Sequence, residues 1–258
     1  MLVELGDLEL EVARTAGDDE LAPIVMLHEG LGAVGTWGDF PQALSSATGR
    51  SIVAYSRAGY GRSTIVREPF DVDYMHREAE AVLPSLLDRL QIPRAILFGH
   101  SDGGSIALIF AARAPARVDA LILEAPHVFV EDLTVESIAE ISRRYPGDER
   151  LRRGLARHHE DPDLAFKRWS EIWLSAPFKQ WNITPMLRAI RAPALVLQGR
   201  NDEYGTLAQV EAIAGALPGV ETAILNDCGH APHRDACEQV LALSGAFVRR
   251  ASARTVAQ

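Results

Sequence analysis

The segment Gly99-His100-Ser101-Asp102-Gly103 constrains the fold more than any other stretch of the chain. It follows an apolar run, Ala95 to Phe98, with the length and composition of a buried strand. Ser105 to Arg113, after it, has helical character. A serine between two glycines at such a junction fits a turn so tight that the serine backbone is strained. The glycines stand where a β-carbon would collide with the adjoining strand and helix. The turn lifts the Ser101 hydroxyl clear of the sheet, with a helix N-terminus beneath it. There the N–H of Asp102 is placed to receive an oxyanion. Gly-x-Ser-x-Gly arises by chance in roughly a tenth of chains of this composition, so its weight comes from the flanking strand and helix.

The remaining chain repeats that strand-then-helix rhythm. Leu2 to Val12 alternates apolar and acidic residues, which predicts one edge strand with a wet face. Ile24 to His28, Ser51 to Tyr55, Ala120 to Glu124 and Ala194 to Gln198 are continuous apolar runs, as in strands covered on both faces. Thr222 to Leu225 adds another strand. Helices are predicted over Phe40 to Ala47, Thr206 to Leu217 and Cys237 to Arg250. A further one covers Tyr74 to Leu90, with Pro84 expected to kink or break it. The alternation implies a mostly parallel central sheet with helices on both faces. Residues 127–190 contain no convincing strand. Their helical stretches are Glu136 to Tyr145, Asp148 to His158 and Asp163 to Leu174, and they hold Trp169, Trp173 and Trp181. They read as a helical cap inserted into an α/β core made of residues 1–126 and 191–258.

The length of 258 residues suits one such domain with an insertion. A net charge of −9 argues against nucleic acid and anionic membranes as partners and mildly against polyanionic substrates, unless a local basic pocket overrules it. No apolar run reaches membrane-spanning length, and the N-terminus lacks the basic region of a signal peptide. Two cysteines, Cys228 and Cys237, suggest no disulfide framework. The cytoplasm is the expected compartment.

A serine hydroxyl needs a base within hydrogen-bond reach, and the base needs an orienting acid. In an open α/β sheet such groups sit on loops at the carboxyl ends of strands. Gly199-Arg200-Asn201-Asp202 supplies Asp202, and Asn226-Asp227-Cys228-Gly229-His230 supplies His230. His233 and His100 are rival bases. Glu124, which also ends a strand, is a second-choice acid, and Asp227 reads as a turn residue. The chain order Ser101, Asp202, His230 is the one this architecture requires.

Over nearly its whole length the chain resembles the α/β-hydrolase superfamily. The resemblance rests on His28-Glu29-Gly30-Leu31-Gly32, on Arg57-Ala58-Gly59-Tyr60-Gly61-Arg62-Ser63, on the Gly99 to Gly103 elbow, and on Asp202 with Gly229-His230. It implies an α/β-hydrolase fold and a second oxyanion donor from the His28 loop, at Gly30 or alternatively Leu31. Glu29 occupies a position where the family commonly has glycine. A carboxylate beside an oxyanion would oppose its charge, so Glu29 is expected to point away or to accept bonds from loop amides. Tyr55-Ser56 likewise replaces a frequent aspartate ahead of Arg57. The Ser-Asp-Gly-Gly elbow resembles the valacyclovir-hydrolase-like (biphenyl-hydrolase-like) branch. That resemblance implies that Asp102 could bind a substrate ammonium group. The other reading of Asp102 is a helix cap or a partner for a local arginine.

Trp169 and Trp173 are four residues apart and share a helix face, so with Phe178 and Trp181 they could line an acyl or aromatic pocket or simply fill the seam between cap and core. His158-His159 and Glu160-Asp161 resemble a metal cluster only in composition. The sequence therefore predicts a cofactor-free, metal-free serine hydrolase acting on small or medium carboxylic esters through an acyl-enzyme. Thioester or amino-acyl ester hydrolysis, acyl transfer or perhydrolysis, and C–C cleavage of aromatic ring-fission products are alternatives on the same residues. A non-catalytic binding protein of this fold is the competing class.

Overall fold

Among the residues described, 1–256 of a computed structural model, eight strands form one sheet. They are β1 (Leu2–Leu5), β2 (Leu8–Thr15), β3 (Ile24–Leu27), β4 (Ile52–Tyr55), β5 (Ala95–His100), β6 (Val118–Glu124), β7 (Ala194–Gly199) and β8 (Glu221–Leu225). Their order across the sheet is β1-β2-β4-β3-β5-β6-β7-β8. β1 and β2 are antiparallel, as are β2 and β4, and every pairing from β4 to β8 is parallel. The helices are α1 (Phe40–Thr48), α2 (Tyr74–Arg77), α3 (Leu83–Arg89), α4 (Asp102–Arg113), α5 (Asp132–Arg144), α6 (Glu149–Ala156), α7 (Pro162–Trp173), α8 (Leu207–Ala216), α9 (Pro232–Asp235) and α10 (Cys237–Val256). Among the described residues, no helix is long and apolar enough to cross a membrane.

The period of two explains the layering. Val25, Leu27, Val53, Tyr55, Leu97, Leu121 and Leu123 project to one face and pack against α3, α4 and α8. Ile24, Met26, Ile52, Ala54, Ile96, Phe98, Ala120 and Ile122 project to the other and meet α1 and α10. Each large apolar side chain buried this way contributes about 1.5–3 kcal/mol. With both faces covered, the interiors of the central strands are apolar, and their polar residues, His100, Asp119, Glu124 and Gln198, stand at or next to strand ends.

Two local expectations are modified. The alternating N-terminal stretch is a hairpin, because Gly6 turns the chain at φ +61°. Across residues 74–89 the interruption expected at Pro84 takes the form of a change in helix type. A π-turn, Glu78–Val82, precedes the proline, which lies in the first turn of α3, where a missing N–H costs little. Between β6 and β7 come α5, α6 and α7, with only an isolated bridge, Phe129 to Asn182, among the described residues.

The strand order reverses at β3, which has β4 on one side and β5 on the other. Loops leaving β3 and β5 therefore diverge and open a crevice at their carboxyl ends. The Gly30 loop follows β3 and Ser101 follows β5, side by side. Asp202 and His230 follow β7 and β8 on the same edge.

Candidate active site

Ser101 sits between β5 and α4 at φ 53°, ψ −117°, a conformation that costs a non-glycine residue energy. The neighbourhood enforces it. A β-carbon on Gly103 would lie 2.0 Å from the Leu27 carbonyl oxygen, and one on Gly99 would lie 2.4 Å from the Gly103 carbonyl oxygen. The Ser101 N–H donates to Glu124 O at 2.9 Å, which ties the turn to β6. Asp102 begins α4, so its N–H has no intrahelical acceptor.

The loops after β7 and β8 bring two partners to this hydroxyl. His230 Nε2 lies 2.9 Å from Ser101 Oγ, and His230 Nδ1 lies 2.8 and 3.0 Å from the Asp202 oxygens. Asp202 also accepts from Tyr204 N at 2.8 Å, Gly205 N at 3.2 Å and Gln198 Nε2 at 2.6 Å. Burial opposes ionisation of Asp202, but the bonds from His230 and Tyr204 outweigh it and keep its pKa below the usual 3.8. An ionised carboxylate only accepts, so Nδ1 carries the imidazole proton and Nε2 turns a lone pair toward Ser101.

The rivals pair with one another instead. His233 Nδ1 bonds Glu124 Oε2 at 2.7 Å, with both side chains buried. His100 Nε2 donates to the His230 carbonyl oxygen at 2.7 Å, and its Nδ1 faces Glu29 Oε2 at 3.6 Å. Burial works against a charged His100, yet Glu29 prevails and raises its pKa above 6.5. The same contact holds the Glu29 carboxyl well below its usual range despite burial. Thus Glu29 turns its charge to His100 and, at 4.0 Å, to Arg234. His100, Glu124 and His233 offer ligand atoms within 4.8 Å of one another, the spacing of a metal cluster, but two of the three side chains are engaged with each other and His100 with the His230 loop. His158-His159 forms no such cluster: His159 accepts from Gly61 N and donates to Leu31 O.

The Gly30 loop is tied down from behind. Glu29 O accepts from Gly32 N, from His28 Nδ1 at 2.7 Å and from Arg57 Nη2 at 2.8 Å. His28 Nε2 accepts the Arg57 N–H, and burial, then Arg57, keep His28 neutral. Of the two readings of Asp102, the structure favours the arginine partner. Asp102 is 1% exposed, and its Oδ2 takes Tyr74 OH at 2.8 Å and Arg57 Nη1 at 3.4 Å. These bonds engage Oδ2 alone: Oδ1 has no hydrogen-bond partner among the described residues, and burial raises the Asp102 pKa above 3.8 against the pull of Arg57 and Tyr74.

These elements enclose a cavity of about 120 Å³ lined by Glu29, Gly30, Leu31, Ser101, Asp102 and His230 on the sheet side. Thr134, Ile138, Trp169 and Trp173 close it from α5 and α7. A β-carbon on Gly30 would meet the Trp169 indole at 2.2 Å, so Gly30 is what admits that ring. Trp181, expected beside Trp169 and Trp173, does not line the cavity. Phe178 packs edge-on against Trp173 and stacks on Trp181, holding it in the layer behind.

Four lining residues, Thr134, Ile138, His127 and Tyr204, escaped the sequence reading. His127, beyond β6, lies 5.7 Å from the His230 ring, and its pKa is lowered to about 3 by burial and by His230, so it is neutral. Tyr204 packs on His230 at 4.9 Å. The signal for His127 and Tyr204 was their place just after a strand.

Comparisons agree with this architecture. The chain is 26% identical over 261 residues to a 2-hydroxy-6-oxo-6-phenylhexa-2,4-dienoate hydrolase of Comamonas testosteroni, covering 91% of this chain and 90% of that one. It is 27% identical over 213 residues to the human serine hydrolase BPHL, covering 78% and 69% respectively. A proline iminopeptidase of Mycobacterium smegmatis superposes with a TM-score of 0.78 at 18% identity over 99% of both chains, a likeness of fold alone. A model of the alpha/beta hydrolase family matches residues 24–243, which span all six parallel strands and every residue of the Ser101, Asp202 and His230 cluster. The chain belongs to the alpha/beta hydrolase family.

Proposed function

We propose that this hydrolase cleaves small carboxylic esters through an acyl-enzyme on Ser101, with His230 as base and then acid and Asp202 as its orienting carboxylate. The observation that carries the reading is the pair of short bonds on opposite nitrogens of His230, 2.9 Å to Ser101 and 2.8 Å to Asp202. Ser101 attacks the carbonyl carbon as its proton passes to His230 Nε2. The imidazolium, stabilised by Asp202, returns that proton to the leaving alkoxide. Water then repeats the cycle on the acyl-enzyme. The N–H groups of Asp102 and Gly30 hold the tetrahedral oxyanion, each worth about 3 kcal/mol, with Leu31 the alternative to Gly30. No cofactor enters this chemistry.

The cavity supports a small acyl group. At about 120 Å³ it is below the ~150 Å³ of an engineered cavity that holds benzene. Its lining has no lysine or arginine. A second reading, C–C hydrolysis on the same residues, is favoured by the names of the relatives. A dienoate is bulkier and carries a carboxylate, which finds no cation inside this cavity.

The test is turnover of p-nitrophenyl esters of increasing acyl length by the parent and by Ser101→Ala. Esterase activity confined to short acyl chains and reduced at least about 10⁴-fold in the variant is expected, with loss of fluorophosphonate labelling. Turnover of a ring-fission dienone with silence on esters would transfer the assignment to C–C hydrolysis. Undiminished ester turnover by Ser101→Ala would sink both.

A further inference from the structure

A cavity this small encloses only part of a substrate, so the remainder must lie in an adjoining groove. Two grooves share lining residues with the cavity. One, of about 600 Å³, shares Tyr204 and is lined by Glu136, Glu140 and Glu203 with Arg143 and Arg144. The other, of about 610 Å³, shares Glu29 and Leu31, the loop that carries the Gly30 amide. Its charged lining is Arg144, Arg150, Arg157 and Arg234 against Glu29 and Asp148.

The partners of these groups decide the field in the second groove. Glu29 turns Oε2 toward His100 Nδ1 at 3.6 Å, and Asp148 accepts the Leu151 N–H at the start of α6 and pairs with Arg144 at 3.5 Å. Arg234 donates to Thr36 O and lies 4.0 Å from Glu29. Arg150 and Arg157 have no carboxylate partner among the described residues. They are seven residues apart, so they stand on one face of α6 and its C-terminal cap. His158 lines the same groove as Arg157 and Arg234, and burial, then these two arginines, lower its pKa. In the first groove the balance is reversed, with carboxylates outnumbering arginines.

Resting on the Ser101 reading, we infer that the groove between the Gly30 loop and α6 is a subsite for an anionic group on the substrate, held outside the catalytic cavity by Arg150 and Arg157. Arginine suits this role because its planar fork meets carboxylate or phosphate oxygens with paired hydrogen bonds. The local field reverses what the chain's net charge of −9 implies.

The experiment keeps the acyl group constant and varies the rest. Phenyl acetate supplies a neutral leaving group, 4-acetoxybenzoate a carboxylate, acetyl-coenzyme A phosphates and acetylthiocholine a cation. The expected result is a higher kcat/KM for an anionic substrate than for phenyl acetate. That preference should fall about tenfold in the double variant Arg150→Gln/Arg157→Gln, through KM rather than kcat, and should weaken with added salt. Preference for 4-acetoxybenzoate alone identifies a carboxylate ligand, and preference for acetyl-coenzyme A identifies phosphate. Arg188→Gln, outside the groove, serves as the charge control. Equal turnover of neutral and anionic acetates, preference for acetylthiocholine, or a preference that survives the double variant would each overturn the subsite while leaving the Ser101 reading intact. Failure of Ser101 dependence on phenyl acetate would instead remove the reading beneath it.

Discussion

At Glu29 a residue that departs from the family pattern finds a partner the sequence did not suggest. Its carboxylate and His100 shift each other's pKa in opposite directions, and the sign of the linkage follows. A carboxylate whose folded pKa is lowered stabilises above its ordinary 4.5, and that stability is lost as pH falls through the folded value. A histidine whose folded pKa is raised stabilises fully below 6.5, and that stability is lost as pH rises through the folded value. The pair therefore acts together between these limits. Glu29→Gln should cost about 1 kcal/mol near pH ~6 and progressively less toward pH ~9, read by urea unfolding across that range. A cost that is flat with pH would mean that Glu29 acts through packing instead of charge.

The elbow between β5 and α4 works as an element because three segments converge on it. β3 presents the Leu27 carbonyl to Gly103, β6 accepts the Ser101 N–H, and α4 begins at once behind the serine. Backbone cannot yield to a new methyl as a flexible side chain can. Gly103→Ala should destabilise by about 3 kcal/mol or more in chemical denaturation, whereas Gly147→Ala, with nothing within 4 Å of the new carbon, should stay within about 0.5 kcal/mol. Comparable costs at the two sites would show that the elbow has slack. A neighbouring element argument accounts for Tyr55 and Ser56. Tyr55 OH bonds the buried Glu78, and Ser56 Oγ links Val34 N to Glu11.

At the scale of the whole molecule, the helical segment between β6 and β7 determines the size of the cavity beside Ser101. α5 and α7 lay Thr134, Ile138, Trp169 and Trp173 over residues that the sheet presents. We read residues 127–190 as a cap on that basis. Trp169→Ala would open the space above Gly30. The p-nitrophenyl ester profile should then move toward longer acyl chains, with about 3 kcal/mol lost in stability. An unchanged profile would locate the acyl group away from α7.

The strands, their parallel order and the candidate residues Ser101, Asp202 and His230 were legible in the sequence. Strands on a doubly covered sheet are apolar through their interiors, and a serine nucleophile needs a base and an orienting acid on loops that follow strands. The hairpin at Gly6 and the π-turn before Pro84 were not, because each depends on local backbone energy that periodicity does not report. The partners of Asp102 and Glu29, the seat of Trp181 behind Phe178 and the arginines facing the Gly30 loop were decided by tertiary structure alone. Arg57 is 45 residues from Asp102, and His100 is 71 from Glu29. A side chain's charge state and reach follow from neighbours that only the folded chain brings into contact.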